Sequence, residues 1–320
     1  MNIRVALAAA LFACSLAGAT QAEPYPVKTV TIIVPASAGG VVDRMARTLA
    51  PQLAAAWGNQ VIVENKPGAN NQIGAEYVAR ANPDGATLFL SPESTFVVNP
   101  YVYSKLQYKL SDFAPISGLF SIYQCLCANP AFPANTVAEL IALAKSKPGS
   151  INYGTFGVGS SGHLNMEMFS KMAGVKLTAV HYKGAAPATN DVIGGHIQLI
   201  SVAIGSAVPQ MKGGKLKALG VGSPKRLAKL PNVPAVAETV PGYEAASWFG
   251  LFGPAKMPRP LVDRINADVR QIFEKPEMKK FLDVQFFEPM TDSPDEFAAF
   301  IKTEGTKWSK VAHDAGIKLD

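Results

Sequence analysis

"NYGTFGVGSSGHLNMEMF", residues 152–169, is the stretch on which the fold turns. A short β-prone run leads into Phe156, Gly157, Val158, Gly159, Ser160 and Ser161, and a helix with apolar periodicity follows. Gly157, Gly159 and Gly162 have the G-x-G-x-x-G spacing of a strand-to-helix loop that cradles a pyrophosphate. Such a loop attracts negative charge, because the first N–H groups of a helix lack intrahelical partners and the helix dipole favours an anion there. Glycines at 157 and 159 leave room for a ligand, and Ser160 and Ser161 add hydroxyl donors. The loop suits a small carboxylate as well as a phosphate; a tight turn without a ligand is the plainer alternative.

A dinucleotide needs an acidic residue about twenty positions further on, at the end of the next strand, to hold its ribose. That strand, "LTAVHYKG", ends in His181, Tyr182 and Lys183, and no Asp or Glu falls between Glu167 and Asp191. The chain also opens like an exported one. In "MNIRVALAAALFACSLAGATQA" a single charge, Arg4, precedes an uncharged apolar run too short to span a bilayer comfortably, ending in small residues. This pattern predicts a secretory signal peptide over residues 1–22, cleaved after Ala22, with Ala19 the nearest rival site. Cys14, in Leu-Phe-Ala-Cys, offers lipidation as an alternative. An exported protein has no supply of reduced pyridine nucleotide, so the loop is read as a carboxylate site in a periplasmic protein.

Composition agrees with a soluble globular chain. Its 320 residues are 48% hydrophobic and 17% charged, enough for one large or two medium domains. The net charge of +6 falls to +5 without Arg4 and is spread without a Lys/Arg cluster, which argues against a nucleic-acid partner. No later stretch is long and apolar enough to cross a membrane. Cys125 and Cys127, two apart in an apolar strand, point to one face, as buried free thiols or a strained disulfide. With no histidine beside them they do not form a zinc site, and no metal or cofactor is expected.

Outward from the loop, strand and helix signals alternate in two series, the mark of βαβ units and parallel sheet. The first holds "VKTVTIIV", a helix with Met45, Leu49, Leu53 and Trp57 as one buried stripe, "QVIVEN", "IGAEYVARA" and "ATLFLS". The second starts near Leu119 with "LFSIYQCLCA". It includes a capping box at Thr136 and Glu139, and a helix with Leu164, Met168 and Met172 on one face. The chain then returns through "SWFGLFG" to helices that include a capping box at Ser293 and Glu296, with Phe297, Ile301 and Trp308 turned inward. Two series and a return predict two lobes, residues 23–122 with 248–320 and residues 123–247. A ligand then lies in the cleft beyond the carboxyl ends of their strands.

The first series carries a matching loop, "VPASAGGVVDRMAR", in which Asp43 falls in the first helical turn, placed to bond free N–H groups. With both loops in view, the chain resembles the solute-binding receptors of tripartite tricarboxylate transporters, the Bug receptors. The resemblance rests on six blocks in order: "IIVPASAGGVVDRMAR", "VENKPGANNQIGAEYVARANPDGATL", "SDFAPISG", "ELIALAKSKPGSINYGTFGVGSSGHL", "VHYKGAAPA" and "GGHIQLISVAIGSAVPQMKGGKLKALGV". It implies an α/β, type II-like, two-lobed periplasmic binding protein, each lobe a mainly parallel sheet flanked by helices. The implied ligand is a small carboxylate or aromatic acid, and the implied partners are membrane permease subunits. Carried over residue by residue, Ala36, Ser37, Ala38, Gly39, Gly40 and Val41 form the first gripping loop, and Phe156 to Ser161 the second. Ser94, Thr95 and Phe96, with Lys183 and Gly184, flank the cleft.

This chain departs from the family pattern at Val202, where an acid is frequent, at Gln198, where Asp is common, and at Ser37-Ala38 and Val41-Val42. Valine at 202 points to a ligand with an apolar body, held between Phe96 and Phe156, and without an α-amino group. An enzyme is not expected. "GVGSSG" lacks the G-x-S-x-G elbow, no H-E-x-x-H occurs, and His163 reads as a core or capping residue. A monomeric receptor feeding a permease is the expectation, and a receptor that reports to a sensor protein is the alternative.

Overall fold

The computed structural model describes Tyr25 and residues 29–319, so the leader and its cleavage site lie outside the described residues. The first series forms β1 (Val30–Val34), α1 (Val41–Trp57), β2 (Val61–Asn65), α2 (Gln72–Ala79) and β3 (Thr87–Pro92), then two single-turn helices, α3 (Ser94–Val97) and α4 (Asn99–Val102). Next come β4 (Phe113–Ala128), α5 (Val137–Ser146), β5 (Asn152–Thr155), α6 (Ser161–Ala173), β6 (Thr178–His181) and α7 (Ala185–Ile193). They are followed by β7 (Leu199–Ala203), α8 (Ile204–Lys212) and β8 (Lys217–Val221). The return consists of β9 (Ala246–Pro254), α9 (Arg259–Glu274), α10 (Pro276–Gln285), the short β10 (Glu288–Pro289) and α11 (Pro294–Asp314).

The strands form a mixed sheet in the order β2-β1-β3-β9-β4-β7-β5-β6, with β8 and β10 also paired to β4. β1 is parallel to β2 and β3, and β5 is parallel to β6 and β7, so each group delivers its following loops to one edge. β4 joins the groups. Phe113 to Tyr123 pair antiparallel with β9, and from Gln124 onward the strand pairs with β7 instead. The strand itself begins at Phe113, earlier than its apolar run suggests.

The α1 stripe of Met45, Leu49, Leu53 and Trp57 is buried as expected. On α6, Leu164 and Met168 are buried but Met172 is 42% exposed. Residues four apart advance about 40° around a helix beyond a full turn, so Met172 has rotated off the packed face. Both capping residues accept the N3 amide, Thr136 from Glu139 and Ser293 from Glu296. The Glu139 carboxylate reaches past the cap to the Asn135 N–H. Cys125 and Cys127 are buried free thiols with sulfurs 3.3 Å apart.

Candidate functional site

The first loop is held from within. Asp43 Oδ2 accepts the Gly39 N–H at 2.8 Å, and Oδ1 accepts from Asn65 Nδ2 at 2.9 Å and Arg47 Nε at 3.0 Å. Asn65 also donates to the Ala36 carbonyl at 2.9 Å, tying the loop to the end of β2. Burial pushes the Asp43 carboxyl up, but bonds from Arg47, Gly39 and Asn65 outweigh it and hold the group below its ordinary range. Gly39 and Gly40 therefore spend their N–H groups inside the loop, on Asp43 and on the Ser37 carbonyl. The amides of Ser37, Ala38, Val41 and Val42, and the Ser37 hydroxyl, have no partner among the described residues. These are the donors the first loop can offer.

The second loop keeps fewer donors than its glycines suggest. Gly157 N–H bonds Thr155 Oγ1 at 3.2 Å, Phe156 N–H bonds Ser160 Oγ at 3.3 Å, and Gly159 N–H bonds His163 Nδ1 at 3.2 Å. Ser160 is the N-cap of α6, and its hydroxyl donates to the Gly157 carbonyl at 2.7 Å, so it is no ligand donor. Among the described residues, the amides of Val158, Ser161 and Gly162 and the Ser161 hydroxyl have no partner. Gly157 and Gly159 have φ of 130° and 74°, which a side chain would strain. Burial, helped by the His181 charge, pushes His163 down to about 4. Neutral, and accepting at Nδ1, its ring carries its proton on Nε2 and serves the loop.

The first loop meets the start of α8 across β4. A gap of about 10 Å³ is lined by Val41 at the start of α1, Ile122 of β4, and Ala203, Gly205 and Ser206 at the start of α8. On the other side, Gly159 lies against Val102 and Leu319. Larger hollows, about 730 Å³ between α6 and α11 and about 610 Å³ beside α2, lie apart from both loops. Among the described residues no cluster of His, Cys, Asp or Glu could hold a metal ion, and no helix is long and apolar enough to cross a membrane.

Residues 45–317 match the model of the tripartite tricarboxylate transporter family receptor. The chain belongs to that family. Protein BugT of Bordetella pertussis is 30% identical over 307 residues, which is 95% of this chain and 94% of BugT. Rpa4515 of R. palustris, solved with adipate, superposes with a TM-score of 0.84 at 33% identity, covering 92% of this chain and 99% of that one. MatC from Rhodopseudomonas palustris, solved with bound malate, gives 0.78 at 29% identity, covering 90% and 99%. The two-lobed periplasmic-binding-protein fold expected from the sequence is the one these relatives share.

Within this receptor, several expected site residues turn out to be structural. Phe96 is 2% exposed, with its ring packed on Phe252 at 3.9 Å and edge-on to Phe89 and Phe113. It belongs to the core, and no ligand can lie between it and Phe156. Thr95 shares a hydroxyl bond with Ser91 at 2.8 Å, and Ser94 accepts from Asn71 at 3.0 Å. Val202 is 3% exposed and pairs with Cys125. Strand alternation turns Val202 to the face opposite Ser201 and Ala203, and Ala203 is the residue that lines the gap. Lys183 is exposed with no hydrogen bond among the described residues, and Gly184 has φ 130° at the start of α7. Sequence reasoning missed Glu93, Gln124 and Ser247, buried polar residues where β3, β4 and β9 meet. The available signal was a polar residue interrupting an apolar strand run.

Proposed function

We propose that this receptor captures a small carboxylate in the periplasm and hands it to the permease subunits of a tripartite tricarboxylate-type transporter. The observation that carries this reading is the pair of helix starts, α1 and α6, each entered through a glycine loop with unspent amide donors. A helix start contributes about 0.3–2 kcal/mol toward an anion, while micromolar affinity needs about 8 kcal/mol. Both loops must therefore act together on one ligand, with water expelled between them. The adipate and malate in the related structures support a carboxylate as that ligand. In this reading residues 1–22 are the removed leader, residues 23–122 with 248–320 form one lobe and residues 123–247 the other. The receptor works as a monomer without cofactor, and His163, its one buried histidine, is neutral and committed to the loop and not to catalysis.

The test is a thermal-shift panel of mono-, di- and aromatic carboxylates. A ligand at one hundred times its Kd adds about 2.7 kcal/mol, a shift of several degrees for a chain of this length. At least one carboxylate should give it and NADPH should not. A clear shift with NADPH and none with any acid overturns the reading.

A further inference from the structure

Of the larger hollows, the one between α6 and α11 is set apart by where its walls come from. The hollow beside α2 is lined only by residues between Lys66 and Thr87, so it belongs to one lobe of the proposed division. A third, of about 640 Å³, is lined by Tyr101 and residues between Ser309 and Lys318, again a single lobe. The hollow of about 730 Å³ takes one wall from α6, within residues 123–247, and the other from α11, within residues 248–320. Lys171 of α6 and Asp314 of α11 join the two walls as an ion pair. The shape of this hollow therefore depends on how the lobes stand relative to each other.

Met172, 42% exposed and turned off the packed face of α6, lines the hollow with Met168 and Val311. Methionine is unbranched and polarizable, and adapts its shape to an incoming apolar side chain. Three lysines, Lys171, Lys307 and Lys310, stand there against two acids, Glu167 and Asp314. Both acids are engaged from within, Asp314 by Lys171 and Glu167 by the Tyr153 hydroxyl. Lys307 reaches Glu304 at 3.5 Å, and Lys310 has no ion-pair partner among the described residues. The charge that the hollow offers to a newcomer is positive.

We propose that the groove between α6 and α11 is the surface on which the permease docks, taking an exposed permease segment that carries a carboxylate beside an apolar side chain. The inference rests on the reading of this chain as a two-lobed transport receptor, and adds the face that the permease meets. A permease has to tell receptors with ligand from those without, and a surface built by both lobes changes with the lobe arrangement that ligand fixes. A surface on one lobe does not. The carboxylate answers Lys307 and Lys310, which steers the encounter and selects the partner. The apolar side chain enters between Met168, Met172 and Val311.

Uptake and affinity measured on the same receptor variants separate docking from capture. The probe is whichever of adipate, malate and benzoate binds the purified receptor best, and uptake is followed in the bacterium that carries this gene, with its own copy deleted and the variant supplied. Lys307→Glu combined with Lys310→Glu should cut uptake about tenfold or more. Calorimetry on the same variant should give a Kd within about twofold of wild type, because the groove lies apart from both glycine loops. Met172→Glu, at an exposed position, should act in the same way and serves if the double variant fails to fold. Uptake unchanged in these variants overturns the docking surface, as does a fall in uptake matched by a fall in affinity. Receptor binding to permease-free phosphatidylglycerol vesicles, abolished by the same substitutions, assigns the lysines to lipid headgroups and overturns it too. Absence of uptake with a wild-type receptor that binds its acid overturns the transport reading, and failure of every acid to bind overturns the carboxylate reading. Those two results are distinct from failure of the groove alone.

Discussion

Asp43 fixes the first loop by accepting from the backbone of Gly39 and from two side chains, Arg47 and Asn65. Asp43→Ala should destabilise the receptor by about 1–3 kcal/mol and weaken carboxylate binding about tenfold, because the loop's free donors lose their alignment. Urea titration and calorimetry on the same preparation check both effects. The carboxyl titrates below its ordinary 3.8, so its contribution is present above that value and is lost as pH falls through the folded-state value. His163 works in the same direction. Its folded-state value of about 4 lies below the ordinary 6.5, so unfolding takes up a proton between them. Stability from this site is full above pH 6.5 and declines as pH falls toward 4. In His163→Gln, whose amide oxygen can still accept from Gly159, melting temperature should vary less with pH across that window. An unchanged pH slope would show that other groups cause the loss.

At the scale of elements, much of the fold was legible because it follows from periodicity and caps. The α1 stripe, the strand that feeds each glycine loop and the caps at Thr136 and Ser293 are local facts of sequence. What failed to show was which face a residue takes and which donors are already spent. Val202 and Ala203 are neighbours in one apolar strand, and only the ladder with β4 reveals that Ala203 meets the gap. The loop glycines look like free donors until Asp43, Thr155 and His163 are found occupying them. The same accounting selects the sharper probe of the second loop. Gly159 is unsuitable, since any side chain there is strained by a φ of 74°. Ser161 sits at the first position of α6, its amide and hydroxyl without a partner among the described residues. Ser161→Asp should stabilise α6 by about 0.3–1 kcal/mol through the helix dipole. It should also weaken binding of an anionic ligand about tenfold or more, by setting charge against charge. Melting temperature without ligand should rise or hold while affinity falls. Normal affinity in that variant would confine the loop to a structural role.

On the scale of the whole molecule, the starts of α1 and α8 approach each other over β4, and Gly205 stands at that approach. A Cβ on Gly205 would lie 2.8 Å from the carbonyl oxygen of Gln285, which ends α10. That carbonyl belongs to the backbone and cannot swing aside as a side chain would, so Gly205→Ala acts as a wedge between α8 and α10. Gly205 also lines the gap with Val41 and Ile122, so the wedge opens the place where the first loop meets the start of α8. A wedge that disfavours this arrangement by about 1.4 kcal/mol lowers apparent affinity about tenfold, because only the competent fraction of molecules binds. Its signature differs from that of a contact residue. Loop substitutions change affinities selectively, whereas the wedge should weaken every carboxylate by the same factor. Calorimetry with two chemically distinct acids, together with small-angle scattering in their presence, checks this. The affinity ratio should hold at its wild-type value, and the radius of gyration should exceed that of the wild-type complex at equal, subsaturating ligand. A change in the ratio would place Gly205 in the site itself, and unchanged affinity would mean that α8 and α10 separate without consequence for the cleft.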